Sequence, residues 1–404
     1  MGSTGAVEGK AVLRCVEVLG WRNYDLRMAK NKTARQKLAV FGQSGSGKTV
    51  LMSSFYGSMQ EPDFMQKSIF EVATDKSETG GVLHQNYLQM KDDNQTPVQN
   101  RFVDTEVKFH ILPRGGSSAE QLELEWHDYP GEWFETDPAT EEEKDERTQT
   151  FKSLVSSDVA LFLVDGSKLR ANRDEEERYL KALFTNFRRT LESQREGIIG
   201  DGPKLEQFPR IWMIGLSKAD LLPELDVFAF RDLIVKKAQG EISELARTLK
   251  KFIQMDENFS LGEEFVLLSS AKFGETNIDV TKRTGLDLIL PLAAFHPMEK
   301  FTRWDKYGKI PQTITDKLKA FNQQQFVQVG IQNVLQRVPK IKDSKRAESL
   351  LPFLVILTQS AVSEIIKIRD KALEKDQFLR ALYSEFAVSL SNAEKDRKLK
   401  RSRN

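Results

Sequence analysis

Eight residues limit this chain more than any others: Gly42-Gln43-Ser44-Gly45-Ser46-Gly47-Lys48-Thr49. Before them stands the apolar run Leu38-Ala39-Val40-Phe41, which reads as a short buried strand. After them Val50-Leu51-Met52-Ser53-Ser54-Phe55 reads as the opening turns of a helix. Strand, glycine-rich loop and helix in this order satisfy G-x-x-x-x-G-K-[ST] in full. The glycines free backbone N–H groups to point inward at a polyphosphate, and the positive end of the helix dipole adds to the attraction. Lys48 is then expected at the β- and γ-phosphates, and the Thr49 hydroxyl on Mg²⁺. A chance glycine-rich turn is the competing explanation, and the fit of both flanks argues against it. Such a chain binds a nucleoside triphosphate or descends from one that did.

At 404 residues there is room for one large domain with an appendage, or for two to three modules. A net charge of +1 gives no global basic field, so nucleic acid is not an expected partner. The single cysteine, Cys15, excludes an internal disulfide and points to a reducing, cytoplasmic compartment. No apolar run approaches the ~20 residues of a membrane-spanning helix; the longest, Leu350 to Leu357, is interrupted by Pro352. Met1-Gly2-Ser3-Thr4 hints at a myristoylation signal, but Ala6 stands where that signal needs Ser or Thr.

Along the chain, residues 1–36 read as an N-terminal extension, with Arg22 to Lys37 a polar connector. Residues 37–296 read as the nucleotide-binding domain. Met59 to about Asp104 is long, polar and weakly periodic, with Gly80-Gly81 near its middle, and is expected to be a functional loop in the position of a first switch. Thr105–Leu112 and Gln121–Trp126 alternate apolar and polar residues across a short glycine-rich link, the pattern of an antiparallel hairpin. Thr140–Ser156 is expected to be helical. Val159–Asp165 and Ile211–Leu216 are continuous apolar runs, as expected for strands buried on both faces of a parallel sheet. Helices are expected over Asp174–Glu196 and Val227–Ile253, a strand at Phe265–Leu268, and a last helix over Leu286–Phe295. The alternation predicts an α/β fold with a mostly parallel sheet flanked by helices. Residues 297–404 read as a helical C-terminal module, ending in the basic run Lys395 to Arg403. That run is expected to be a solvated tail, with a peripheral contact to anionic lipid, RNA or an acidic partner as the alternative.

Three further motifs lie at strand ends, where such a sheet binds its ligand. Asp128-Tyr129-Pro130-Gly131 fits D-x-x-G: Asp128 would hold Mg²⁺ and the Gly131 N–H the γ-phosphate. Ser217-Lys218-Ala219-Asp220 fits [NTS]-K-x-D: the Asp220 carboxylate can accept from both N1–H and the 2-amino group of guanine. Adenine offers no such pair and would leave the carboxylate unpaired, at about 1–3 kcal/mol. Lys218 would brace the loop. Ser270-Ala271-Lys272 fits S-A-K, with the Ala271 N–H meeting guanine O6. Each short motif recurs by chance, but four in order at strand ends point to GTP and GDP with Mg²⁺.

Over residues 37–296 the chain resembles a Ras-like GTPase domain of the translation-factor-related P-loop class. The string Asp128-Tyr129-Pro130-Gly131-Glu132-Trp133, together with Ser217-Lys218-Ala219-Asp220, resembles bacterial YcjX-like GTPases and related phage-defence or conflict-system GTPases. The resemblance implies a GTP-hydrolysing switch acting with a protein effector or activator in stress or phage defence. Two departures bear on turnover. Ser217 replaces the commoner Asn, which removes an amide contact. Glu132 stands where many Ras-like proteins carry a water-orienting Gln; it is a candidate catalytic residue, but it adds negative charge beside the γ-phosphate. Slow intrinsic hydrolysis is expected, and a GTP- or GDP-clamped scaffold is the rival reading. Thr96 is the expected first-switch ligand to Mg²⁺, with Thr105 and Thr79 as alternatives, and Arg101 is the nearest arginine able to act in cis. His84, His110 and His127 lack ligand-type spacing, so no structural zinc is expected.

Overall fold

The apolar runs become the centre of an eight-stranded sheet in the computed structural model. It describes residues 32–92, 106–115, 120–134, 136, 138–200, 202–206, 208–254, 259–273, 278–305, 315–317, 366–367, 369–373 and 377–402. The chain begins with β1 (Lys32–Phe41), α1 (Lys48–Met59), α2 (Pro62–Lys67), β2 (Phe70–Thr74) and α3 (Ser77–Asp92). Next come β3 (Glu106–Pro113), β4 (Glu120–Asp128), α4 (Glu141–Val155), β5 (Val159–Asp165), α5 (Gly166–Ala171) and α6 (Glu176–Ile199). β6 (Ile211–Ser217), α7 (Val227–Lys250), β7 (Ser260–Leu267) and the two-residue strands β8 (Lys272–Phe273) and β9 (Ile278–Asp279) follow. α8 (His296–Asp305), α9 (Phe378–Lys395) and β10 (Leu399–Lys400) complete it.

The sheet order is β10-β7-β6-β5-β1-β4-β3-β2. The five central strands β7, β6, β5, β1 and β4 pair in parallel. β3 and β2 continue antiparallel from β4, and β10 pairs antiparallel with β7. Every residue of β5 and β6 is buried, because helices cover both faces there. On one face Leu38, Val40, Leu122, Leu124 and Trp126 share a core with α1 and with Leu379, Leu382 and Phe386 of α9. On the other, Phe41, Phe162 and Trp212 pack with Phe151, Phe184 and Phe230 from α4, α6 and α7. Phe41 stacks on Trp212 with ring centroids 5.2 Å apart.

The structure departs from the sequence expectation in four places. The polar stretch after Met59 is not one long loop, since α2, β2 and α3 occupy most of it. Gly80 and Gly81 fall inside α3, where Leu83, Tyr87 and Met90 form its buried stripe. A Cβ at Gly57 of α1 would lie 2.3 Å from the Tyr87 ring, so glycine permits the helices' close approach. β1 also starts earlier, at Lys32, because Arg35 and Lys37 form cross-strand ion pairs with Glu123 and Glu125 of β4. The last helix breaks into a 3₁₀ turn at Leu286–Leu288 and a π-helical turn at Pro291–Phe295, then runs on as α8 to Asp305. Finally, the basic run is not a free tail up to Ser402. Leu399 and Lys400 pair with β7, the Lys400 Nζ donates to the Glu263 carbonyl at 3.0 Å, and Arg401 is ion-paired with Glu299 and Glu394.

Candidate functional site

The residues singled out at strand ends gather around the carboxyl ends of β1, β4, β5, β6 and β7. The phosphate loop leaves β1 at Gly42. Gly45 and Gly47 take φ of 75° and 88°, a left-handed geometry that side chains resist. Gly47 is the N-cap of α1 and caps it with no side chain, so the first-turn N–H groups are left for a ligand. A Cβ on Gly42 would lie 2.6 Å from the Ser46 Oγ, which is itself enclosed without a hydrogen-bond partner. Lys48 is buried and donates from Nζ to the Gly42 carbonyl at 2.9 Å and the Gln43 carbonyl at 3.4 Å. Thr49 lies in the first turn of α1. The Gln43 Oε1 accepts from Lys168 of α5 at 3.2 Å. Ser44 lies at the mouth of the loop, where a Cβ on Gly131 would come 2.2 Å from its backbone N. The D-x-x-G glycine therefore abuts the phosphate loop directly.

Asp128 ends β4. Its Oδ1 is enclosed and has no hydrogen-bond partner. Loss of water pushes its carboxyl up to about 6, against the opposing pull of the Lys48 ammonium and the Tyr129 N–H; Glu132 adds to the rise. A buried carboxylate oxygen lacking a donor fits a bound cation, so Asp128 and Thr49 are suited to Mg²⁺. Glu132 is exposed in the 3₁₀ turn Gly131–Phe134. Thr96, Thr105 and Arg101 lie outside the described residues; Thr79 lies within α3.

The base-reading loops are joined to the phosphate loop by Lys218. It holds a left-handed φ of 52° and donates from Nζ to the Gly45 carbonyl (2.8 Å), Asp165 Oδ2 (2.9 Å) and Ser167 Oγ (3.0 Å). Asp165, at the end of β5, is a site residue that motif reading missed; its signal was a carboxylate closing a continuous apolar run. Gly166 is required beside it, because a Cβ there would meet the Ser217 carbonyl oxygen at 2.6 Å. The Ser217 hydroxyl donates to the Val164 carbonyl at 3.2 Å. Asp220 accepts at Oδ1 from Ser269 Oγ (2.5 Å) and at Oδ2 from the Phe273 N–H (3.0 Å). The hydroxyl on Asp220 is thus that of Ser269, the residue just before Ser270-Ala271-Lys272. Ala271 is fully buried, and Lys272 is exposed on β8. Each Asp220 oxygen retains a second lone pair for a base edge.

A family model described as Double-GTPase 2 matches residues 36–251, more than half of the chain. The chain belongs to this family. The match spans the phosphate loop, Asp128–Gly131 and Ser217–Asp220, so the three loops that converge here are within it. Membership makes the chain a P-loop GTPase of YcjX-like type, with guanine-nucleotide binding and hydrolysis as the family's general function. No curated protein matches the chain. Among the described residues no helix is long and apolar enough to cross a membrane.

The fold brings one of the three histidines beside two carboxylates that its spacing in the sequence did not suggest. His127 of β4 is buried, and its ligand atoms lie within 4.8 Å of those of Glu106 and Glu125. These carboxylates are already neutralised, Glu125 by Lys37 at 3.0 Å and Glu106 by Lys108 at 3.2 Å. Burial pushes the His127 imidazole pKa down, which disfavours its charged form.

Proposed function

We propose that the chain is a Ras-like, cytoplasmic GTP-hydrolysing switch that works with Mg²⁺ and a protein effector or activator. The observation carrying this reading is the Lys218 bridge. One ammonium joins the loop that would grip the phosphates, at Gly45, to the loop whose Asp220 would read guanine, so base recognition and phosphate grip are coupled.

The residues divide the work by chemistry. Gly42, Gln43, Ser44, Gly45, Ser46 and Gly47 offer backbone N–H groups, and Lys48 leaves its carbonyl partners to neutralise the β- and γ-phosphates. Asp128 and Thr49, with Thr96 from the first switch, would hold Mg²⁺, which supplies neutralisation of the triphosphate charge. Asp220 accepts from the guanine N–H groups, while Ser269 and the Phe273 N–H fix its orientation. Ser270, Ala271 and Lys272 line the base side, the Ala271 N–H facing O6. Gly131 brings its N–H to the phosphate loop, and Glu132 orients water.

Glu132 also supports slow turnover. Its negative charge acts on Asp128, and the same charge opposes electron-rich oxygens at the γ-phosphate. A GTP- or GDP-clamped scaffold is the limiting case. Fluorescent-GTP titration tests the main reading: Lys48→Ala and Thr49→Ala should lose binding with the fold intact by circular dichroism, and excess ATP should not displace GTP. Full GTP binding by Lys48→Ala would sink it. Phosphate release in a single turnover, with and without partner, separates switch from scaffold.

A further inference from the structure

Arg147 of α4 has an unusual setting for a cation on a charged helix. Its side chain is only 4% exposed, and its fork is satisfied mainly by the segment that follows Gly131. Nη1 donates to the Thr136 carbonyl at 2.5 Å and the Trp133 carbonyl at 3.4 Å, while Nη2 donates to Thr136 Oγ1 at 3.2 Å. The guanidinium lies over the Trp133 ring, 5.4 Å from its centroid. The Trp133 ring also meets Tyr129 in a T-shaped contact, with centroids 5.2 Å apart. Glu143 completes the fork: its Oε1 accepts from Arg147 Nε at 3.1 Å and from Nη2 at 2.5 Å. Glu143 is itself fixed, since its Oε2 accepts from the Ala139 N–H at 2.7 Å and its N–H donates to the N-cap Thr140 at 3.1 Å.

A continuous chain of contacts therefore runs from the first turn of α4 through Arg147 to Thr136. The Thr136 N–H and hydroxyl both bond the Glu132 carbonyl at 3.1 Å. One residue before Glu132, Gly131 lies against the backbone of Gln43 and Ser44. Backbone carbonyls in an irregular segment are weak partners, and only a planar five-donor group fits several at once.

We propose that Arg147 is the positioning residue of hydrolysis: it latches Trp133 and Thr136 to α4 and so holds the Gly131 N–H and Glu132 at the phosphate loop. This rests on the GTPase reading above. A lysine there keeps the charge but cannot span Trp133, Thr136 and Glu143 together. Full-length Arg147→Lys should therefore bind fluorescent GTP within about threefold of wild type. Its single-turnover hydrolysis should fall on the order of 10- to 100-fold, as expected when reacting groups lose alignment. Cleavage by a glutamate-specific protease after Glu132 or Glu135, measured with a bound GTP analogue, should rise in parallel. Thr136→Val is an exposed change that leaves no buried charge, and it should give the same pattern more weakly. Wild-type hydrolysis rates and cleavage in both variants would overturn the proposal. A wild-type protein that binds no GTP would instead remove the GTPase reading itself, so the two failures are distinct.

Discussion

Asp128 and Glu264 bring the same chemical group into enclosed sites, and burial has opposite consequences for them. Glu264 of β7 is fully buried between His296 and Lys300 of α8, with the His296 Nε2 2.7 Å away and Lys300 in direct ion-pair contact. Although loss of water works against its charge, these two partners hold the carboxyl well below the ordinary glutamate range. Asp128 has an enclosed oxygen without a donor, and its carboxyl is pushed up to about 6. The paired carboxylate joins α8 to the sheet. The other keeps one oxygen open beside the phosphate loop's Lys48. Of these two carboxylates, the one with charged partners serves the architecture, and the one with a bare oxygen lies at the site.

Removing each carboxylate is the strongest way to break that contrast. Glu264→Ala would leave Lys300 without its carboxylate and His296 with only Glu299, 3.7 Å away, and should cost about 3–5 kcal/mol in urea unfolding. GTP turnover of the folded fraction should be unchanged. Asp128→Asn should do the reverse. The metal-free fold should keep or gain stability, while Mg²⁺-dependent hydrolysis should drop by roughly 100-fold or more. Equal losses of stability in both variants would erase the distinction.

Acid and base sharpen it further in protein without nucleotide or Mg²⁺. The folded pKa of Glu264 lies below its unfolded value, so its contribution is complete above the ordinary glutamate range and is lost progressively as pH falls below that range toward the depressed folded value. Asp128 has a folded value of about 6 against the usual 3.8, so the folded state binds the extra proton between them. Its ionisation should therefore lower stability as pH rises from about 4 to 6. Melting curves across pH 3–7 should show the upper limb flattened in Asp128→Asn alone.

The contrast also explains what could be read from the residues alone. Residues 159–164 and 211–216 announce central strands because burial on both faces leaves them no polar position. Asp128, Lys218 and Asp220 are legible because local spacing fixes them at strand ends. What escaped depends on distant partners. Gly80 and Gly81 disguised α3, whose close packing is set by Tyr87 against Gly57. The Ser269 hydroxyl on Asp220 lies just outside the S-A-K spacing and shows only in the fold. Arg401 reads as tail until Glu299 and Glu394, from separate helices, enclose it. Arg147 shows an i,i+4 pair with Glu143 in the sequence, but its contacts to Trp133 and Thr136 exist only in the fold.

Base choice gives a smaller test on the site's side of the comparison. Asp220→Asn exchanges one acceptor oxygen for a donor, which mismatches the guanine 2-amino group and suits a carbonyl at the same position. GTP affinity should fall by about 1–3 kcal/mol, with xanthosine triphosphate gaining relative to it in competition titrations. An unaltered preference would remove Asp220 from the base contact.

The smallest expected effect is at the sheet edge. Arg401 is 16% exposed and bonds Glu394 at 3.0 Å and Glu299 at 2.6 Å, so Arg401→Gln should cost about 1 kcal/mol, the top of the range of an exposed pair. The Leu267 N–H donates to the Lys398 carbonyl at 2.9 Å, and its hydrogen exchange should quicken as β10 loosens. GTP affinity should not move, because Asp220 and Ser269 are held by partners other than β10. If affinity moved with exchange at Leu267, the edge strand would be acting through β7 on Ser269, and the division between architectural and ligand-seeking charges would fail.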